Sequence, residues 1–427
     1  MTKSASEAVQ ITQLSNGVRV VTETVPYVRS ASVGIYVGIG SRDEDERIAG
    51  ISHFIEHMLF KGTATRTAHQ IADTIESRGG HLNAWTDKET TTFQARVLAE
   101  DTALAIDVLT DMLLHSLLDP EEMTREKSVV LEEIKMYEDS PEDLVHEVFE
   151  QSLWKTHPLG RPIIGTSDTV SNLTREDLAA YMASRYLPDR IVVAAAGNLD
   201  HAEIVAQVEQ SMGSLEGKAT LPVHRSAKPS GKSKQVRKRE TEQVNFCLGS
   251  RGYSKQNPSR YAVSILSSLL GGNMSSRLFQ EIREKRGLAY NIGSYSRYYR
   301  DAGVFCIYGG TSLATYEQVI ELTRKETTSV RKTGFTADEL AKASTQVRGA
   351  LVLGLEGMSS RMNRYGESLL AHGRVIPVEE VLAMYDKVTN DSIIEVAEHV
   401  FEDSLQTLAA VGPFPRASRV VAETIQV

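Results

Sequence analysis

The sequence predicts two domains of mixed strand and helix content that are related by an internal duplication. At 427 residues the chain is too long for one compact core, so two domains of about 200 residues each are expected. Each half presents a strand, a helix, further strands and then paired helices, in the same order. The phrases "HMLF" and "SRLF" also lie about half the chain apart, as a diverged duplication would place them.

The predicted domain boundaries follow from one polar stretch that contains glycine and proline. Residues 213–235, "GSLEGKATLPVHRSAKPSGKSKQ", are the best linker candidate in the chain. We therefore expect an N-terminal domain over 1–215, a linker over 216–238 and a C-terminal domain over 239–427. The basic run Lys228–Arg239 is interpreted as part of this solvated linker rather than as a binding patch.

Local patterns predict the individual elements. Alternating runs around Asn16-Gly17 predict a β-hairpin, and apolar residues at helical spacing predict a helix over "GISHFIEHMLF", residues 50–60. The remaining predictions for the first half are a strand over 31–40, a helix over 68–78, strands over 81–87 and 90–98, helices over 101–114 and 120–138, a strand near 190 and a helix from His201. Those for the second half are a strand over 244–252, a helix ending near 282, strands through 290–310 and two helices, the second opening near 335.

Composition and charge exclude several classes of partner. The formal net charge of −9 and the pI of about 5.8 leave no basic field of the kind that holds nucleic acid. No apolar run approaches the length of a membrane span, and the first residues resemble neither a secretory nor a mitochondrial signal. Two cysteines, Cys247 and Cys306, make no disulfide scaffold and suit a reducing cytosol. We expect a cytoplasmic protein without nucleic-acid or membrane partners.

The stretch "HFIEH" places two imidazoles and a carboxylate in an otherwise apolar segment. Residues three and four apart share one face of a helix, so His53, Glu56 and His57 can point toward one spot. Two imidazoles one turn apart can chelate Zn²⁺, and a carboxylate beside them can accept a proton from the attacking water. The pattern is the inverted form, H-x-x-E-H, of the zincin motif. Two core histidines that hydrogen-bond within the fold are the alternative explanation.

A catalytic zinc usually has three protein ligands and one open position, so a third ligand is required from another segment. The helix predicted from Pro120 offers Glu126 and Glu133, which lie two turns apart on one face. Glu133 has apolar helical neighbours, whereas Glu132 has a serine and a lysine among its own. A carboxylate among apolar side chains is costly unless it is paired with a cation, and a bound metal would be that cation. Two ordinary surface glutamates are the alternative.

Together these motifs resemble the pitrilysin and insulysin family of zinc peptidases, in particular the shorter branch that includes the mitochondrial processing peptidase and its bacterial relatives. The phrase "EKSVVLEEI" matches the family's spaced pair of glutamates, Glu126 and Glu133, of which the second is the third zinc ligand. The similarity also covers residues 79–91, 158–166 and 269–296, and so spans most of the chain.

The resemblance implies an α+β fold for each half, with a mixed, largely antiparallel sheet backed by helices. It also implies a zinc-dependent endopeptidase that hydrolyses peptides or unfolded polypeptide segments, with one Zn²⁺ per chain held by His53, His57 and Glu133. Glu56 would be the general base, and Glu126 would orient a ligand histidine.

Substrate contacts are implied for the strand predicted over 81–87. The resemblance places Asn83 and Ala84 where a substrate would add itself as an extended edge strand, which recognises backbone rather than sequence. His81 in the same strand is not expected to bind zinc, because two helical histidines and Glu133 already fill the site.

Further side chains are implied by resemblance alone. The phrase "IREKRGLAY" matches the family's paired arginine and tyrosine, Arg283 and Tyr290, which would hold the substrate carbonyl and stabilise the developing oxyanion. Arg286 is the competing arginine but lacks the family's spacing. Asp143 and Glu147 match acidic positions that favour a basic residue near the cut in the processing-peptidase branch, and an acidic solvated helix face is the alternative.

The resemblance finally implies an assembly. Longer members of the family close four such domains around a chamber, so a chain of two domains would borrow its opposite half from a second chain. A homodimer with composite active sites is expected, because this chain retains both the zinc motif and the Arg283–Tyr290 pair. One alternative is a non-catalytic peptide-binding or scaffolding partner subunit. The other is a purely structural zinc, which would usually be rich in cysteine, and both cysteines lie in the other half.

Overall fold

The computed structural model of the protein describes residues 9–219, 227 and 231–415. The described residues form two compact units. The first comprises the described parts of Met1–Ile134, Arg161–Val223 and Val352–Pro377, and the second comprises those of Lys135–Gly160, His224–Leu351 and Val378–Val427.

The elements alternate along the chain much as the sequence predicts. The strands are β1 (Val9–Gln13), β2 (Arg19–Thr24), β3 (Ser30–Val37), β4 (His81–Thr86), β5 (Thr91–Leu98), β6 (Ile191–Gly197), β7 (Ser233–Lys238), β8 (Val244–Gly252), β9 (Ala289–Tyr298), β10 (Gly303–Thr311) and β11 (Thr407–Gly412). The helices are α1 (Ile51–Leu59), α2 (Ala68–Glu76), α3 (Thr102–His115), α4 (Pro120–Asp139), α5 (Pro141–Trp154), α6 (Ser167–Asn172), α7 (Arg175–Arg185), α8 (His201–Met212), α9 (Arg260–Gly271), α10 (Tyr316–Thr333), α11 (Ala337–Gly354), α12 (Met358–His372), α13 (Val378–Asp386) and α14 (Asn390–Val400). A π-helical segment, Phe279–Glu284, follows α9.

The first unit is built on a six-stranded sheet with the order β1-β2-β6-β3-β5-β4. β2 and β6 run parallel, and the other neighbouring strands are antiparallel. The predicted hairpin is confirmed, because β1 pairs with β2 and Gly17 takes a φ of +105°, a conformation that favours glycine. β4 lies at one edge of this sheet, and within the described part of the chain no strand pairs with its outer side.

The second unit repeats this topology. Its five-stranded sheet has the order β7-β11-β8-β10-β9, with β7 and β11 parallel and the other neighbours antiparallel. The five strands β2 to β6 of the first unit follow the same order and directions, β2-β6-β3-β5-β4. The predicted fold class, with two related domains that each have a mixed, largely antiparallel sheet, is therefore confirmed.

The compact units differ from the predicted contiguous domains by two helices. α5 falls within the predicted domain 1–215, but its apolar side, including Leu144 and Phe149, packs on Cys247 and Val304 of the second sheet. α12 falls within the predicted domain 239–427, but its buried side chains pack on β3 and β6 of the first sheet. Each helix therefore belongs to the compact unit whose sheet buries its apolar face. The polar composition of a linker does not indicate which sheet that is.

The predicted linker over 216–238 is corrected at its end. Residues 220–226 and 228–230 lie outside the described part of the chain. Ser233–Lys238 forms β7, which pairs in parallel with β11, and Val236 packs against the core of the second unit. The basic residues of Ser233–Lys238 led to the prediction of a linker instead of a strand. Alternate side chains of an edge strand are solvated, so a strand at this position can be rich in charged residues.

Among the described residues, no helix combines the length and the apolar composition that crossing a bilayer would require.

Candidate active site

The two histidines of "HFIEH" lie side by side on helix α1. Ile51, Phe54 and Ile55 of this helix are fully buried, as the helical spacing of apolar residues predicts. His53 and His57 lie one turn apart, and their ring centroids are 4.6 Å apart. The buried apolar residues of α1 thus fix the helix in the core and, with it, the positions of both imidazoles.

Glu133 approaches both imidazoles from helix α4. Its Oε2 atom lies 3.8 Å from His53 Nε2 and 3.6 Å from His57 Nε2. One donor atom from each of the three residues lies within 4.8 Å of the other two. Glu132, the neighbouring carboxylate, is exposed and is not part of this cluster.

The spacing of this cluster fits a zinc ion. Two ligand atoms held about 2.0–2.1 Å from one ion at the tetrahedral angle are separated by about 3.4 Å. The two Nε2 to Oε2 distances of 3.8 and 3.6 Å are close to that value and longer than an ordinary hydrogen bond. Burial, and next the neighbouring His57, lower the pKa of His53 to about 3, which keeps its ring neutral and able to bind a cation.

Glu126 holds His57 from the side opposite the cluster. His57 Nδ1 lies 2.8 Å from Glu126 Oε1, and Lys61 Nζ lies 2.6 Å from Glu126 Oε2. Burial favours the neutral acid, but the bonds from His57 and Lys61 outweigh it and lower the pKa of the Glu126 carboxyl. An ionised Glu126 accepts a hydrogen bond from the N–H at Nδ1, which leaves the lone pair of Nε2 directed toward Glu133.

Replacing Glu126 with glutamine is expected to weaken zinc binding by about 10- to 100-fold, because the ring of His57 loses its charged acceptor. Competition with a fluorescent zinc chelator measures the affinity. Glu121→Gln is the matched control, since Glu121 lies on the same helix with a side chain that is 86% exposed. Equal zinc affinities for the two variants would contradict an orienting role for Glu126.

Glu56 lies on α1 beside the last residue of β4. Its Oε2 atom accepts a hydrogen bond of 2.6 Å from Thr86 Oγ1. Burial raises the pKa of the Glu56 carboxyl, and the Thr86 hydroxyl and the His57 ring oppose the shift. A carboxylate with a raised pKa is a stronger base than a solvated one, as a general base for hydrolysis needs to be.

The start of α1 is held by a buried carboxylate. Gly50, at the N-cap, has a φ of +96°, and a Cβ there would lie 2.7 Å from the carbonyl oxygen of Ile164. Because glycine offers no capping side chain, Glu44 replaces it: its two oxygens accept from Gly50 N at 2.7 Å and Ser52 N at 2.8 Å. Ser52 adjoins His53, so this contact fixes the first turn of the zinc-motif helix.

Glu44 is expected to make stability depend on pH. Burial raises its pKa from 4.5 to about 7, although hydrogen bonds from Ser52 and Gly50 oppose the shift. A carboxyl whose folded pKa is raised keeps its proton only in the folded state between these values, so its contribution falls as pH rises from about 4.5 to about 7. Relative to Glu44→Gln, the unfolding free energy of the metal-free protein should fall by about 3 kcal/mol across this window.

Chemical denaturation of both metal-free proteins at a series of pH values measures that difference. Glu76→Gln, at an exposed glutamate of α2, is the control and should follow the wild type at every pH. A constant difference between wild type and Glu44→Gln would show that Glu44 does not titrate in this range.

The strand predicted to receive substrate lies at the sheet edge. Asn83 and Ala84 are on β4, the edge strand that pairs with β5. Asn83 Oδ1 accepts a hydrogen bond of 2.9 Å from the Ala84 N–H. His81 is exposed on the same strand and does not belong to the cluster of His53, His57 and Glu133.

Arg283 and Tyr290 lie together in the second unit. The Arg283 guanidinium carbon is 4.9 Å from the centroid of the Tyr290 ring and 4.7 Å from that of Phe279. Tyr290 is 77% exposed, so one face of this pair is open to a ligand. Arg286 instead donates to Glu281, at 2.6 Å to its carbonyl and 2.7 Å to its carboxylate, which leaves Arg283 as the better candidate.

The two acidic candidates for selectivity lie near the start of α5. Ser140 caps this helix, and Asp143 accepts a hydrogen bond of 2.6 Å from the Ser140 hydroxyl. Asp143 is exposed and Glu147 is half-buried. Asp143 therefore takes part in a helix cap as well as contributing negative charge.

Three residues that the sequence patterns did not indicate support the side chains or the helix of the candidate site. Lys61 pairs with Glu126, Thr86 donates to Glu56, and Glu44 caps α1. Lys61 follows His57 by four residues, so helical spacing could have suggested it. Thr86 and Glu44 are brought in by sheet topology and a loop, for which the sequence carries no local signal.

Two imidazoles and a carboxylate converge on α1 and α4, beside the edge strand of a duplicated α+β fold. This combination defines a candidate metallopeptidase. A family model described as Insulinase (Peptidase family M16) matches residues 19–167, and one described as Peptidase M16 inactive domain matches residues 172–347. The chain belongs to the insulinase family of peptidases, family M16.

Individual relatives agree with this assignment. The uncharacterized zinc protease YmxG of Bacillus subtilis is 41% identical over 401 residues, covering 93% of this chain and 97% of that protein. A protease structure from Helicobacter pylori matches with a TM-score of 0.89 and 22% identity, covering 95% of this chain and 99% of that chain. A peptidase M16 inactive domain from Pseudomonas fluorescens has a TM-score of 0.87 and 20% identity, covering 96% and 99%. At these identities, the two structures support the fold alone.

Proposed function

We propose that this chain is a zinc-dependent endopeptidase that hydrolyses peptides or unfolded polypeptide segments, with one zinc ion in the site of His53, His57 and Glu133. The observation that carries the proposal is the convergence of two Nε2 atoms on Glu133 Oε2, at 3.8 and 3.6 Å. Three protein ligands leave a position for substrate, as catalytic zinc sites require. The name zinc protease of the B. subtilis relative supports the same metal.

The chain's own side chains supply the proton transfers. Zinc, when bound, supplies a Lewis acid that polarises the scissile carbonyl and activates water. Glu56 accepts a proton from the attacking water and returns it to the leaving amine. The hydrogen bond from Thr86 fixes the carboxylate of Glu56, and burial keeps it a strong enough base for this task.

Substrate would bind by adding a strand to β4. An extended segment would bond through backbone groups, which predicts a requirement for unfolded chains and a broad tolerance of sequence. The Asn83 amide oxygen already accepts from the Ala84 N–H, so an incoming segment would displace it and take over that donor. The cost of displacing one internal bond is small, because a new bond replaces it.

Arg283 and Tyr290 would stabilise the oxyanion from a second copy of the chain. A guanidinium and a phenol on one exposed surface can both donate to a tetrahedral oxygen. We propose a homodimer in which this pair faces the zinc site of the partner, because both sets of side chains are present in one chain.

Mixing two inactive variants tests this assembly. Glu56→Gln chains and Tyr290→Phe chains are each expected to be poorly active, and a mixed dimer contains one site with both groups intact. After random exchange of equal amounts, activity should recover to about one quarter of the wild-type value. Co-purification through two different affinity tags verifies that mixed dimers form. Mixed dimers without recovered activity would contradict sites shared between chains.

Asp143 and Glu147 would favour a basic residue near the cut. Their carboxylates lie one turn apart on α5, a spacing that can accept one arginine or lysine. A peptide-library profile of the wild type and the Asp143→Asn/Glu147→Gln variant tests this role. The wild type should prefer Arg or Lys near the cut, and the variant should lose that preference.

The cytoplasm stays the predicted location of the protein.

A non-catalytic peptide-binding or scaffolding subunit is the second candidate function. The similarity of residues 172–347 to a model described as an inactive domain favours it. Measuring zinc content together with cleavage of a quenched peptide separates the candidates. The peptidase proposal requires chelator-sensitive cleavage that zinc restores, a scaffold requires peptide binding without cleavage, and a structural zinc requires bound metal without cleavage.

A further inference from the structure

A second cluster of metal-binding side chains lies in the other compact unit. Cys247 is on β8, Cys306 is on β10 and His146 is on α5. One donor atom from each residue lies within 4.8 Å of the other two. The Cys247 sulfur is 3.4 Å from His146 Nδ1, and both cysteines are fully buried. The side chains come from three separate elements, so only the folded unit brings them together.

The sheet register favours an ion over a disulfide between the two sulfurs. Cys247 lies opposite Tyr308, and Cys306 lies opposite Gly249, so the cysteines are diagonal neighbours on one face of the antiparallel pair. Diagonal neighbours have Cα atoms about 7–8 Å apart, beyond the usual reach of a disulfide. Two thiolates on one zinc ion at about 2.3 Å are separated by about 3.8 Å at the tetrahedral angle, within the span of this cluster.

The surroundings select the charge of the ion. Cys247 and Cys306 belong to the apolar core between α5 and the second sheet, which also includes Phe149 and Val304, and His146 lies half-buried beside them. A net charge there would be costly. Two thiolates and a neutral imidazole around a divalent cation carry no net charge, whereas a monovalent cation would leave one negative charge.

A fourth donor is available beside the histidine. The Tyr295 hydroxyl lies 3.1 Å from His146 Nδ1. The rings of Tyr295 and Tyr308 flank that of His146, with centroids 5.4 and 5.5 Å away. Without metal, the Tyr295 hydroxyl or the Cys247 thiol donates to His146 Nδ1 and satisfies it. With metal, that nitrogen becomes a ligand, and the Tyr295 hydroxyl, kept as the neutral phenol so that the site stays uncharged, would take the fourth position.

We propose that His146, Cys247 and Cys306 form a second zinc site, structural in role, that ties helix α5 to strands β8 and β10. Binding breaks two S–H bonds, forms two zinc–sulfur bonds and releases two protons to solvent, with no change in oxidation state. This site is independent of the proposed peptidase chemistry, because it shares no residue with the cluster on α1 and α4.

Cobalt substitution of the full-length chain distinguishes the two sites. The His53→Ala/His57→Ala variant disables the first site and should still bind about one Co²⁺ per chain with the near-ultraviolet charge-transfer absorption of thiolate ligands. The chain contains only two cysteines, so that absorption can come from no other site. The further replacements Cys247→Ser and Cys306→Ser should abolish it, whereas Tyr308→Phe should retain it.

The wild-type chain supplies a test that does not depend on variants that fold. Zinc-free wild type titrated with Co²⁺ should show the thiolate absorption, and the unfolded protein should contain two free thiols. Two free thiols without thiolate–cobalt absorption would overturn the proposal in favour of a hydrogen-bonded core histidine. The absence of free thiols would overturn it in favour of a disulfide. A failure of peptide cleavage alone would concern only the first site.

Discussion

Replacing Glu56 with glutamine is expected to lower the turnover number for peptide hydrolysis by about 10³-fold or more, while zinc occupancy of the first site stays at the wild-type level. General-base catalysis contributes about 10²–10⁴-fold, and here the same carboxylate also protonates the leaving amine. Glutamine keeps the size of the side chain and can still accept from Thr86, but it cannot accept a proton from water. The loss should therefore appear in turnover and leave metal affinity unchanged.

The position of Glu56 explains why its replacement should affect turnover and not zinc binding. Glu56 is held by Thr86 at 2.6 Å and is not one of the three residues whose donor atoms converge. Zinc content by mass spectrometry and cleavage of a quenched peptide measure the two quantities. Glu76→Gln, at an exposed position of α2, is the control for loss of a carboxylate. Full activity of Glu56→Gln would show that the base is misassigned.

Replacing Glu133 with glutamine is expected to weaken zinc binding by more than the about 10- to 100-fold loss typical of residues that only orient a ligand. The amide removes a negative charge and leaves His53 and His57 as the remaining protein ligands. Activity at limiting zinc should fall in parallel with occupancy. Excess zinc should restore part of it, because Glu56 remains in place.

The adjacent glutamate provides a matched control for this prediction. Glu132 precedes Glu133 on α4 but is exposed and lies outside the cluster. Glu132→Gln should bind zinc like the wild type in chelator competition. The reverse result, with weak binding in Glu132→Gln and normal binding in Glu133→Gln, would mean that helix α4 presents a different face to α1.

Periodicity in the sequence, together with the family resemblance, predicted which side chains of the candidate site lie close together. The spacing within α1 put His53 and His57 on one face, and apolar neighbours distinguished Glu133 from Glu132 on α4. The structure brings Glu133 Oε2 to 3.8 and 3.6 Å from the Nε2 atoms of His53 and His57, although Glu133 lies on a separate helix. Repeated element order likewise predicted the duplication that the two sheet topologies display.

Long-range packing explains what periodicity could not predict. The contact of Glu44 with the start of α1 depends on a loop, and that of Thr86 with Glu56 depends on where β4 lies. Helices α5 and α12 each pack on the sheet of the unit outside their predicted domain, and this depends on which sheet offers a matching apolar face. The proximity of Cys247, Cys306 and His146 depends on the register between β8 and β10. None of these relations has a fixed sequence spacing.

Zinc binding by His53, His57 and Glu133 can be tested directly in an anomalous difference map, recorded at the zinc absorption edge from crystals of the protein purified without chelators. We expect a strong peak within bonding distance of His53 Nε2, His57 Nε2 and a carboxylate oxygen of Glu133. A protein that contains stoichiometric zinc but gives no peak among these three atoms would contradict it.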